Sequence, residues 1–180
     1  MNNEIELFHE GGEVKLSVFK KILIVLAIVI LIILIGFKPF IKRNPPLEIS
    51  TIGWTEKKHG VVIQIGNKGW KKVHISDVLV NTNERPLNVK IQVSNALKPL
   101  LITDSFTDKE AKNYVFKNID SISIEPNTSP SYTLEKENKG IATEKDKTYG
   151  ISVLDDESIN KIIIKYRYLS IPFVKEISIR

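Results

Sequence analysis

The stretch Leu87-Asn88-Val89-Lys90-Ile91-Gln92-Val93-Ser94 alternates apolar and polar residues at every step. Period two puts Leu87, Val89, Ile91 and Val93 on one face of an extended chain, whereas a helix would scatter them around its circumference. The same parity recurs outward from this stretch. Val61, Ile63 and Ile65 share a face, as do Ile122 and Ile124. Ile162, Ile164, Tyr166 and Tyr168 line one side of residues 159–169, and Ile171, Phe173, Ile177 and Ile179 line one side of the last segment. Turn-forming clusters separate these runs: Gly66-Asn67-Lys68-Gly69, Asn83-Glu84-Arg85-Pro86, Pro126 to Pro130, Asn138-Lys139-Gly140 and Asp155-Asp156-Glu157.

About eight short strands at such spacing predict an all-β domain over residues 47–180, an antiparallel immunoglobulin-like β-sandwich of two sheets with alternating inward side chains. In architecture this resembles many bacterial extracytoplasmic sandwiches, and no motif narrows it to a family. One short helix is expected. Thr107 and Glu110 have capping-box spacing before Ala111, Tyr114 and Val115, which predicts a helix from Asp108 to about Asn118.

The N-terminal region follows a different pattern. Ile22 to Phe37 is a run of 16 residues without a charge. As a helix it rises about 24 Å, slightly short of a bilayer core, and Val18, Phe19, Phe40 and Ile41 extend it while Lys20 and Lys21 reach back to the headgroups. Its apolar residues occupy every side, unlike the one-sided stripe of a soluble surface helix. The bulky, basic sequence Gly36-Phe37-Lys38-Pro39-Phe40 offers no small-residue cleavage site, so retention as a single-pass anchor is expected rather than removal as a signal peptide. The domain plan is therefore a polar tail at 1–17, a transmembrane helix at 18–41, a proline-containing linker at 42–46 and the β-domain at 47–180. Lys15, Lys20 and Lys21 balance Lys38, Lys42 and Arg43 across the span. Long domains cross largely regardless of charge, so the short tail decides, placing the N-terminus inside and the domain outside the plasma membrane. The tail, with Glu4, Glu6, Glu10 and Glu13, has no core of its own and reads as disordered or loosely helical.

The chain has 180 residues, a formal charge of +5 and no cysteine. That excludes a disulfide framework, thiolate zinc ligands and a cysteine nucleophile, and the mild charge does not call for a nucleic-acid partner. No G-x-S-x-G turn, H-E-x-x-H spacing or glycine-rich phosphate loop occurs. His59 and His74 stand fifteen residues apart on separate segments, so no catalytic site, metal site or cofactor is expected. Asp155-Asp156-Glu157 reads as a solvated turn rather than a cation loop, because it lacks the alternating ligand spacing. Asn127-Thr128-Ser129 has the form of a glycosylation sequon.

The one candidate binding feature combines basic and aromatic residues: Trp54, Lys57 and Lys58, then Trp70, Lys71 and Lys72. From Leu47 to Lys98 there are eight Lys/Arg against four Asp/Glu, and from Pro99 onward twelve against thirteen. Lysines beside indole rings suit anionic lipid, a polyanionic wall polymer or a membrane-protein partner. The structural alternative makes both tryptophans core residues and Lys71-Lys72 the protection of an edge strand. The expected function is a binding or scaffolding module tethered at the membrane surface. The rivals are an accessory subunit of a larger membrane complex and a small surface hydrolase.

Overall fold

Eight strands fall into two antiparallel sheets. They are β1 (Leu47–Trp54), β2 (Gly60–Asn67), β3 (His74–Val80), β4 (Asn88–Asn95), β5 (Val115–Lys117), β6 (Lys147–Leu154), β7 (Lys161–Tyr168) and β8 (Ile171–Ser178). The larger sheet has the order β1-β2-β6-β4-β5 and the smaller one β3-β7-β8. This computed structural model describes residues 4–180, and their side chains from Val18 onward except Leu34.

Register explains why the alternating residues became the core. On the larger sheet Val61, Ile63 and Ile65 of β2 stand opposite Val153, Ile151 and Tyr149 of β6, and Ile151 also faces Ile91 of β4. All of them are buried. On the smaller sheet Val78 and Val80 pair with Ile164 and Ile162, and Tyr166 stacks on Phe173 at 5.1 Å. Each buried aliphatic side chain contributes about 1.5–3 kcal/mol. Burial pushes the Tyr166 phenol of β7 up to about 12, against the smaller lowering influence of the Leu47 backbone in β1.

The strand pattern departs from expectation where the outer face of the larger sheet is covered. Leu87 precedes β4 and is 74% exposed, whereas Gln92, on the polar parity, is fully buried. The cause is the long β4–β5 connection lying across that face. A Cβ on Gly150 would stand 2.9 Å from Leu100 Cδ1, one on Gly53 would stand 2.5 Å from Ile102 Cδ1, and one on Gly60 would strike the Thr103 carbonyl. Glycine at these sites lets the connection sit flush on the sheet. Ile122 and Ile124 form no full strand: Ile124, completely buried, makes a single bridge to Val73.

The helix expected at Asp108–Asn118 is absent. Ala111–Asn113 makes one 3-10 turn, and Val115–Lys117 joins the edge of β4 as β5. No side chain caps the turn, because Thr103, Ser105 and Thr107 bond one another and the local backbone instead. Phe116 then packs on Phe106 at 4.8 Å, a contact the strand provides. A helix forms where turns were expected: α2 (Pro130–Asn138). Ser129 caps it by accepting from Tyr132 N, and Pro130 takes the first turn, where a missing N–H is harmless. The Glu48 carboxylate of β1 accepts from Ser131 N at 2.9 Å and from Ser131 Oγ at 3.0 Å.

The N-terminal unit is described separately. α1 (Glu4–Arg43) is continuous, so the backbone of the polar tail is helical from Glu4, and Lys42 and Arg43 belong to the helix rather than to a linker. Met1 to Asn3 and the tail's side chains, His9 among them, lie outside the described residues. Asn44 closes the helix by donating its side-chain amide to Phe40 O at 3.0 Å, and Pro45-Pro46 prevents continuation. The segment Val18–Arg43 has mean hydropathy 3.1 over its most apolar window, none of it buried. It is long and apolar enough to cross a membrane.

Candidate functional site

Both candidate tryptophans are on the surface, Trp54 41% and Trp70 57% exposed, so neither is a core residue. The six candidate residues do not make one patch. Trp54, Lys57 and Lys58 sit at the β1–β2 turn, and Trp70, Lys71 and Lys72 in the β2–β3 connection. The whole of β2 separates them, about 23 Å for the seven steps between its eight residues at 3.3 Å each. Nearness in sequence therefore did not translate into nearness in space.

At the first end, Lys58 adopts φ 56° and closes the hairpin turn by donating its N–H to Thr55 O at 2.8 Å. Its ammonium lies 5.9 Å from the Trp54 ring centroid and 3.4 Å from Ile179 O, while Lys57 is exposed. Cation and indole face thus form a small amphipathic spot.

At the other end the loop is held by Asn67, fully buried. Its side-chain amide donates to Lys71 O at 2.7 Å and Ile124 O at 3.0 Å, and its Oδ1 accepts from Gly69 N at 2.8 Å. The Trp70 ring meets Tyr168 edge-on at 5.8 Å. Lys72 pairs with Glu125 at 3.0 Å, which cancels its charge locally, and leaves Lys68 and Lys71 as exposed cations without an acidic partner among the described residues. Lys71 and Lys72 lie in a connection that leads through the Val73–Ile124 bridge, not on an edge strand.

The histidines were also placed. His74 Nδ1 lies 2.9 Å from Ser123 Oγ in an exposed position. His59 borders a shallow depression with Glu84, Asp156 and Glu157. Among the described residues neither imidazole is hydrogen-bonded to a carboxylate, and no three His, Cys, Asp or Glu side chains are grouped to hold a metal ion. Burial, with the neighbouring Asp156 adding, raises the Asp155 carboxyl above its ordinary range. In the sequon Asn127 takes φ 58° at a tight turn, while the Thr128 hydroxyl donates to Glu125 O and accepts from Asn67 N.

No family model, curated protein or solved structure matches this chain.

Sequence reasoning missed a second concavity, a groove of about 710 Å³ on the outer face of the larger sheet. Its floor is β1 and β2, one wall is α2 with Leu134, and the other is the β4–β5 connection with Leu97, Leu100 and Ile102. These residues are far apart in sequence. The one local signal that could have marked a helix there, Ser129 as a cap before Pro130, was read as part of a turn.

Proposed function

We propose that this protein is a single-pass membrane protein whose C-terminal domain is an immunoglobulin-like β-sandwich acting as a binding or scaffolding module at the outer face of the plasma membrane, with its N-terminus inside. The observation that carries the reading is α1: between Val18 and Phe40 its described apolar side chains are exposed. Such a surface is unfavourable in water and suits lipid. Strand order supports the sandwich type. With the three-residue β5 set aside, β1-β2-β6-β4 and β3-β7-β8 follow the order A-B-E-D and C-F-G of the seven-stranded immunoglobulin arrangement.

Within this reading the two basic-aromatic spots are separate anchoring points for anionic lipid headgroups or a wall polyanion, not one surface. Each exposed lysine near a charged surface adds roughly 1 kcal/mol, so either spot alone binds weakly.

Protease shaving of intact cells carrying a C-terminal epitope tag tests the location: loss of the tag is expected, and full protection overturns the outward orientation. Liposome flotation tests the spots. Lys57→Gln with Lys58→Gln, and Lys68→Gln with Lys71→Gln, should each reduce binding to anionic vesicles at low salt, and salt should weaken what remains. Equal binding by parent and both variants would remove the role assigned to the lysines.

A further inference from the structure

Each sheet ends in strands that could pair with another chain, and three of these four edges are blunted. β5 has three residues. β8 carries Pro172, Lys175 and Glu176. The edge of β3 carries Asp77 and is tied near both ends, by the Val73–Ile124 bridge and by the reciprocal Val80–Glu84 hydrogen bonds. Short length, proline, charge and covering contacts are the usual protections of an edge. β1 is neither short nor interrupted by proline, and its one irregularity is a bulge that leaves Ser50 and Thr51 exposed. It is eight residues long, and its single charged side chain, Glu48, is engaged by Ser131. Among the described residues no strand pairs with its far side.

The groove has this edge strand as part of its floor. β2 contributes Val62 and Gln64, alternate residues pointing to one face, as a strand must when only its face is touched. β1 contributes Glu48, Ile49, Ser50 and Thr51 in succession. Strict alternation would turn Ile49 and Thr51 away from the face of Glu48 and Ser50, so a space lined by all four marks a local irregularity of β1. The cause is a bulge: Ile49 pairs with Ile65 and Ile52 with Ile63, which leaves exposed Ser50 and Thr51 together opposite Gln64. The wall is held in place before any ligand arrives, because Glu48 fixes the first turn of α2.

We infer that the free edge of β1 and the groove beside it are a docking site for an extended peptide segment of a partner protein, which adds as a further strand and lays alternate apolar side chains between Leu134 and Ile102. Unpaired backbone groups along an edge call for another extended backbone, and alternate side chains read the adjoining pockets. A volume of about 710 Å³ takes a short segment and not a folded domain. A second copy would have to bring its own α2 and β4–β5 connection to the same border, which favours a lone segment. This inference rests on the reading of the domain as a binding module and names the class of its partner; it does not depend on the lysine spots.

The test uses the full chain in lipid nanodiscs and a displayed library of random ten-residue peptides. Selected peptides should alternate apolar and polar residues, and a bound synthetic peptide should protect amides of residues 48–53 from hydrogen exchange. Ser50→Lys with Thr51→Lys, both exposed, should weaken binding by about tenfold or more, while Val174→Lys on β8 leaves it unchanged. Should the edge variant disturb β1, Leu97→Gln with Leu134→Gln, two exposed wall positions, should weaken binding instead with exchange in β2 unaltered. Failure to select any peptide, binding indifferent to both variants, or protection on another element overturns the site. Self-association of the parent that the edge variant abolishes assigns the border to a second copy and also overturns it. Shaving and flotation on the same preparation report separately on anchoring and anion binding, so loss of either leaves the peptide result readable.

Discussion

The Tyr168 hydroxyl accepts the Trp70 backbone N–H at 3.1 Å, joining the end of β7 to the β2–β3 connection, 98 residues away in sequence. Gly69 makes the approach possible, since a Cβ there would stand 2.6 Å from the hydroxyl oxygen and 2.8 Å from ring atom Cζ. Tyr168→Phe should lower stability by about 0.5–1.5 kcal/mol through the lost acceptor and shift Trp70 fluorescence. Gly69→Ala should cost more, about 1–3 kcal/mol, because the ring it displaces is buried. Urea unfolding followed at Trp70 and by far-UV circular dichroism measures both; equal stability of all three proteins would contradict the contact.

At Gly66 the obstacle is backbone. A Cβ would lie 2.0 Å from Thr128 O and 2.7 Å from Ser129 Cα, just where α2 is capped. Gly66→Ala should therefore destabilise the domain by at least about 1–3 kcal/mol and loosen α2, read as faster exchange of the Tyr132 and Thr133 amides.

Acid should release the end of α2 first. The Asp146 carboxyl is held below its ordinary value by the Lys136 ammonium and then by Thr143, and Lys136 is correspondingly raised. A carboxyl with a depressed folded-state value contributes stability above its unfolded value near 3.8, lost as pH falls through the folded one. Asp146→Asn should flatten the stability profile in that acid range. Asp155, raised by burial, has the opposite sign: its ionisation weakens the fold as pH rises from about its unfolded value, and Asp155→Asn should remove that decline.

The fragment 44–180 should fold alone, since it holds the whole compact unit from Pro45 to Arg180 with both sheets and their buried apolar residues. Circular dichroism dominated by strand and a cooperative unfolding transition are expected; a helix-dominated spectrum or obligate aggregation would contradict the fold.

Two charges at the middle of α1 should prevent insertion. Ile28→Lys with Ile32→Lys adds about 2.5–3.5 kcal/mol per residue on insertion scales, and the variant should be released by alkaline carbonate while the parent is retained.

What the sequence alone determined is what is periodic and local. Period two at Val61–Ile65, Val89–Val93 and Ile162–Tyr168 marked strands because side chains on a pleated chain must alternate, and the unbroken apolar run from Ile22 to Phe37 marked a membrane-length helix because nothing in it is polar. Tertiary structure decided what depends on distant partners. Val115–Lys117 became a strand because the edge of β4 was open to it, and Pro130–Asn138 became a helix, its first turn bonded by Glu48 from the far side of the chain. Gln92 was buried by a connection that follows it in sequence and folds back over the sheet, which no local pattern encodes. The candidate lysines and tryptophans were separated by the length of β2 for a simple reason: an extended strand carries neighbouring loops to opposite ends of a sheet, while hydrogen-bonded pairing brings together the distant residues that line the groove.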